Sequence, residues 1–165
     1  MSIAKPFQFR AKEFEDARGS LKTLPLLECG FTKLHQLNFV QTKANWVRGM
    51  HFQAAPWEQA KIIIPIVGKI RDVIVNLQTG QKHVFDLMPG DGLFVPKNYA
   101  HGFCSINDSI IQYLLDEAYK PDLGRFVSPF CKELDIDWGV ANPVANDRDT
   151  NASSWSKRFE AVKSL

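Results

Sequence analysis

From Lys61 onward, apolar residues come in short runs broken by turn-forming residues. Lys61-Ile-Ile-Ile-Pro-Ile-Val67 ends at Gly68, and the Ile- and Val-rich stretch 69–77 closes at Gln78-Thr79-Gly80. Residues 81–87 lead to the turn Met88-Pro89-Gly90-Asp91-Gly92, followed by apolar runs over 93–96, 101–106 and 109–115. Runs of this length, punctuated by Gly, Pro, Asn and Asp, predict β-strands. The intervals between them leave no room for crossover helices, so an antiparallel sandwich or barrel is expected rather than a parallel α/β sheet. Helical spacing recurs only near the end. After Ser153-Ser154, the residues Trp155, Phe159 and Val162 share one face, which predicts a C-terminal helix over about 153–163. Residues 25–30 are ambiguous. There is no internal repeat or linker, and the expectation is a single domain over 1–165.

Composition narrows the class of protein. A chain of 165 residues with 45% hydrophobic content can bury one real core. Twenty basic against eighteen acidic residues give a net charge of +2, which offers no general attraction for nucleic acid or an anionic membrane. No apolar run approaches the roughly 18 residues of a membrane span. The first ten residues lack the apolar core of a signal peptide, so none is expected. Cys29, Cys104 and Cys131 are odd in number, far apart and without a CxxC pair. That argues against a disulfide framework or a cysteine zinc site and fits a reducing cytoplasm.

Of the four histidines, His35 and His83 have nothing reactive near them in sequence and read as structural or surface residues. His51 stands in Arg48-Gly49-Met50-His51-Phe52-Gln53, and His101 in Asn98-Tyr99-Ala100-His101-Gly102-Phe103. The stretch Pro89-Gly90-Asp91 … Pro96 … His101 resembles the second motif of cupins. Metal-binding cupins carry His-x-His and then Glu in their first motif. Here the matching place holds His51-Phe52-Gln53, with Lys61 further along. Glutamine removes a nitrogen ligand and an ammonium repels a cation, so no metal is expected. Taken one by one, Tyr113 reads as an ordinary strand residue, Asp72 as a turn or edge residue and Lys61 as a solvated strand end. Asp147 and Asp149 both lie in what looks like a loop.

Further segments fall into an ordered series: Asp16-Ala-Arg18-Gly19, Arg48-Gly-Met-His51-Phe-Gln53, Gln59-Ala-Lys61 and Gly68-Lys-Ile70-Arg-Asp72-Val73. It continues with Tyr99-Ala-His101-Gly-Phe103, Tyr113 with Tyr119-Lys-Pro121, Asp135-Ile-Asp-Trp138, and Pro143 through Arg148-Asp149. The series runs collinearly from about Phe14 to Asp149 and resembles the dTDP-4-dehydrorhamnose 3,5-epimerase family. The resemblance implies a cupin-like jelly-roll β-barrel, mainly β with short helices at the ends. It also implies a cofactor-free isomerase that removes a proton beside a 4-keto group of a nucleotide-linked sugar and returns one on the opposite face. In that reading His51 is the base, Asp149 its carboxylate partner, Lys61 the charge at the developing enolate and Tyr113 the acid. His101 and Asp72 form a supporting pair. Phe14, Arg18, Gln41, Arg48 and Gln53 match positions that bind the nucleotide sugar. The spacing from Pro143 favours Asp149 over Asp147.

The resemblance further implies a homodimer in which an N-terminal strand, here 6–10, joins the neighbour's sheet. Departures fall in the recognition segments: 41–46 is short and lacks Asn-His-Ser, Ser20-Leu21 replaces aromatics, and the hairpin over 76–81 is abbreviated. They point to a relative acting on a different 4-keto sugar nucleotide. A sugar-nucleotide ketoisomerase and a non-catalytic cupin that binds a small ligand are the competing readings. The co-occurrence of His51, Lys61 and Tyr113 weighs against the second.

Overall fold

The computed structural model describes residues 4–28, 30–31 and 33–160. In chain order the strands are β1 (Phe7–Arg10), β2 (Lys12–Asp16), β3 (Gly19–Thr23), β4 (Gln36–Thr42), β5 (Val47–Gln53) and β6 (Lys61–Val67). They continue as β7 (Ile70–Asn76), β8 (Lys82–Leu87), β9 (Asp91–Val95), β10 (Tyr99–Ser105), β11 (Ser109–Leu115) and β12 (Gly124–Phe126). Among the described residues one short α-helix, α1 (Asp147–Thr150), follows.

Two five-stranded sheets, ordered β1-β9-β6-β11-β4 and β12-β5-β10-β7-β8, face one another, and β2 pairs with β3 as a separate hairpin. Every ladder between named strands is antiparallel. This is the expected cupin-like jelly roll. Alternation along the strands sends Ile63, Ile74, Leu93, Phe103 and Ile111 into the space between the sheets, where each is fully buried. The outer faces are covered as well. Phe31, Leu24 and Leu26 pack on Ile62, Ile64 and Phe94 of the first sheet. Leu134, Trp138 and their neighbours pack on Met50, Phe52 and Val75 of the second. Filling one end of the interior with aliphatic side chains leaves the other end for polar groups.

A backbone irregularity decides which side chains reach that polar end. Along β10 and β5, His101 opposes His51 but Phe103 opposes Arg48, so β5 carries one extra residue at Gly49-Met50. Strict alternation would put Arg48 and His51 on opposite faces; the bulge lets both line the same cavity. Gly49 has φ +148°, and a Cβ there would sit 2.5 Å from the Gly102 Cα. The position therefore requires glycine.

Two expectations are corrected. The C-terminal helix over 153–163 is a single 3₁₀ turn, Trp155–Lys157, through residue 160. Residues 161–165, including Val162, lie outside the described residues. The turn is held by tertiary contacts rather than by helix propagation. The Trp155 N–H donates to Cys131 Sγ at 3.3 Å, and the Arg158 guanidinium donates to the Leu77 carbonyl at 2.8 and 3.0 Å while covering the Trp155 ring. The N-terminal strand also differs. Phe7–Arg10 pairs with β9 of its own sheet, from Phe7↔Phe94 to Arg10↔Asp91, and Arg10 Nη1 donates to Asp91 Oδ1 at 2.8 Å. What projects from the barrel is the β2–β3 hairpin, exposed at every residue.

Candidate active site

The open end of the barrel is a cavity of about 320 Å³, lined by His51, Lys61, His101, Tyr113, Arg48 and Arg148 among others. This is within the range that takes a small organic molecule. His51, on β5, sends Nε2 to within 2.9 Å of Asp149 Oδ1. Asp149 is buried on α1, whose N-terminus is capped by Asn146: the Asn146 Oδ1 accepts from the Asp149 N–H at 2.8 Å. The Gly49 N–H donates to Asp149 Oδ2 at 3.3 Å, so the bulge that orients His51 also holds its carboxylate partner.

The electrostatics assign a tautomer. Burial pushes the Asp149 carboxyl upward, but the hydrogen bond and charge of His51 and the Gly49 N–H outweigh it and leave it below its ordinary value. An ionised carboxylate only accepts, so His51 Nε2 carries the proton and Nδ1 is the free basic nitrogen. Burial holds His51 below its usual value of 6.5, against the pull of Asp149 and aided by the charges of Lys61 and Arg148. The imidazole is therefore neutral and able to take a proton at pH 7.

The opposite sheet supplies two further groups. Tyr113 on β11 and Lys61 on β6 both line the cavity. Burial lifts the Tyr113 phenol well above 10, helped by Asp72, so it is a protonated donor at neutral pH. Burial lowers the Lys61 ammonium from 10.5 to about 8, with Asp72 opposing the shift. Lys61 Nζ donates to the His51 carbonyl at 3.4 Å. His101 sits beside this group with Nε2 2.8 Å from Asp72 Oδ2, and its ring meets that of Tyr113 edge-on at 5.9 Å. Asp72, read as a turn or edge residue when taken alone, is fully buried between the sheets. Its Oδ1 has no hydrogen-bond partner among the described residues.

A family model described as dTDP-4-dehydrorhamnose 3,5-epimerase matches residues 1–157. The chain belongs to that family. Among curated relatives, the dTDP-4-dehydrorhamnose 3-epimerase of Streptomyces niveus is 31% identical over 73% of this chain, which spans 62% of that protein. The dTDP-4-dehydrorhamnose 3,5-epimerase of Shigella flexneri is 28% identical over 89% of this chain and 80% of its own length. The Bacillus anthracis dTDP-4-dehydrorhamnose 3,5-epimerase, solved with TDP and pyrophosphate bound, superposes with a TM-score of 0.83 at 32% identity. The match covers 90% of this chain and 93% of that one.

Of the eleven residues expected from the epimerase resemblance, the structure gathers His51, Asp149, Lys61, Tyr113, His101, Asp72, Arg48 and Gln53 at or against the cavity. Gln53, however, directs its amide to the backbone: Nε2 donates to the carbonyls of Trp57 and Ala118, and Oε1 accepts from the Lys120 N–H. It ties two loops at the rim. Gln41 is exposed and lines a neighbouring cleft with Lys43, Trp46 and Arg48, its carbonyl accepting from Arg48 Nη2. Phe14 and Arg18 lie on the projecting hairpin, away from the cavity of their own chain. The sequence reading missed Phe126, whose ring stands edge-on to His51 at 4.9 Å, and left Arg148 unassigned. The only signal for Arg148 was a basic residue directly before Asp149.

Proposed function

We propose that the protein epimerises a nucleotide-linked 4-keto-6-deoxy sugar, at carbon 3, carbon 5 or both, in deoxysugar and surface-polysaccharide biosynthesis. His51 Nδ1 takes the proton from the carbon beside the ketone. The electron pair moves onto the ketone oxygen, where the Lys61 ammonium meets the developing charge. Tyr113 delivers its phenolic proton to the opposite face of that carbon, and solvent restores both groups. The observation that carries the reading is that base and acid stand on opposite sheets of one cavity. A site built only to bind a sugar has no need of that arrangement.

Arg48 and the cleft beside it suit the diphosphate, since a guanidinium matches phosphate in a fork. The remaining recognition residues imply a second copy of the chain. Phe14 and Leu21 are 54% and 63% exposed on a hairpin that is exposed at every residue. Apolar residues on both of its strands favour docking on a partner, with Phe14 and Arg18 delivered to the partner's cavity and a homodimer as the working unit. The free thiols of Cys104 and Cys131 accord with a cytoplasmic setting.

The test is solvent deuterium uptake followed by mass spectrometry, with dTDP-, GDP- and CDP-linked 4-keto-6-deoxy sugars as substrates. Uptake that disappears in His51→Ala supports the assignment, and one or two deuterons count the carbons exchanged. Absence of uptake with every sugar would favour a binding protein on this scaffold.

A further inference from the structure

The charged groups facing His51 come from several elements. Asp149 and Arg148 come from α1 and Lys61 from β6; Arg48 on the strand of His51 lines the same cavity, and His101 on β10 is the Cα partner of His51. β12 contributes the uncharged ring of Phe126, with Arg125 next to it. Among these, Arg148 has no role in the proton-transfer scheme, yet it touches two of the groups that hold His51. Its Nε lies 3.5 Å from Asp149 Oδ1, the same oxygen that accepts from His51 Nε2. Its guanidinium covers the Phe126 ring at 4.5 Å, and that ring presents itself edge-on to the imidazole at 4.9 Å. The contacts close a ring: His51 to Asp149, Asp149 to Arg148, Arg148 to Phe126, and Phe126 back to His51.

We propose that Arg148 is a positioning residue that sets both the orientation and the basicity of His51, by sharing Asp149 Oδ1 with it and by holding Phe126 against its ring. Two physical effects follow. A carboxylate oxygen that also faces a guanidinium has less negative charge to offer an imidazolium, so the protonated form of His51 loses support. A cation over the face of Phe126 fixes that ring through its quadrupole, which limits how far the imidazole can swing toward the cavity. Arg148 thereby adds to the burial that keeps His51 neutral, and holds it aimed before substrate arrives. Asp149 alone would hold the imidazole in place but would also leave more of it already protonated at neutral pH, because it favours the charged form. Arg148 offsets that cost without removing the hydrogen bond.

The inference rests on His51 being the proton-carrying group, so the measurement is made without substrate. Histidine labelled with carbon-13 at ring carbon ε1 is followed by NMR against pH in the wild type, Arg148→Met and Arg148→Lys. A His51→Gln protein assigns the signal, and the His35, His83 and His101 signals report that each variant is folded. In Arg148→Met the His51 midpoint is expected to rise by about half a pH unit, the size of one exposed charge a few ångströms away. In Arg148→Lys, which keeps the charge, it should remain near the wild-type value. The acid limb of deuterium uptake should move by the same amount in Arg148→Met. An unmoved midpoint in folded Arg148→Met overturns the proposal, and so does a rise of equal size in Arg148→Lys. Uptake absent in the wild type would remove the epimerase reading and leave the titration standing. Normal uptake with an unmoved midpoint would remove only the role of Arg148.

Discussion

His51 and Asp149 are separated by most of the chain, yet their side chains meet at 2.9 Å, and the Asp149 carboxylate also accepts from the backbone of Gly49. The helix that carries Asp149 is a single turn, held by its Asn146 cap. His51 and Asp149 are thus joined through the backbone of β5 as well as through each other.

The consequence for catalysis is direct. Asp149→Asn presents an amide that can donate where the carboxylate only accepts, so the neutral imidazole can take up its other tautomer. We expect kcat to fall by about 10²–10⁴-fold with KM little changed, read by initial rates of epimerisation. A loss confined to KM would contradict the pairing.

Tyr113→Phe removes the donor and leaves the base. Proton abstraction can still proceed, so deuterium should enter the substrate while inversion is lost, by about 10²-fold or more. Comparing deuterium incorporation by mass spectrometry with product stereochemistry by NMR separates the two events. Inversion at the wild-type rate would show that another group supplies the proton.

The pH dependence should be bell-shaped. Activity rises as His51 loses its proton, at a midpoint below 6.5, and falls as Lys61 loses its proton near 8. Lys61 also carries a stability cost of known sign. Below about 8 both folded and unfolded chains hold its proton, and burying the charge penalises the folded one. Between about 8 and 10.5 only the unfolded chain holds it, so stability rises with pH across that window. Lys61→Met is therefore expected to stabilise the protein at pH 7 by up to about 3 kcal/mol while abolishing activity, measured by denaturant unfolding.

For the hairpin, replacing Phe14 and Leu21 with Ser should shift the protein toward a monomer in light scattering at micromolar concentration. Arg18→Ala should raise KM without dissociating the assembly. A wild-type protein that is already monomeric would overturn the homodimer reading and the placement of Arg18.

The strands from Lys61 to Leu115 were legible because their apolar runs and turn residues are local signals, and the observed bounds fall within a few residues of the pattern. The gathering of His51, Asp72, Lys61, His101 and Tyr113 was legible only as an ordered set, since each residue alone has an ordinary strand explanation. Less could be read where tertiary contact decides. Gln53 looks like a substrate ligand in sequence, but its amide is consumed by two loops remote from it in the chain. The spacing of Trp155 and Phe159 is helical, but Cys131 and Leu77 capture the segment after one turn. Phe126 carries no motif, and it matters only because β12 lies beside β5.

The extra residue at Gly49-Met50 also bears on how this site can change. Arg48 and His51 are out of phase with the pleat and are brought to the same face by one inserted unit, which requires glycine opposite Gly102. Side chains around the cavity can be exchanged one at a time and selectivity can drift with them. The counting between residues 48 and 51 cannot drift, because deleting a single position would turn Arg48 away from the cavity while leaving His51 in place. Evolution or redesign of this enzyme toward new sugars is accordingly free in composition and locked in chain length at this one strand.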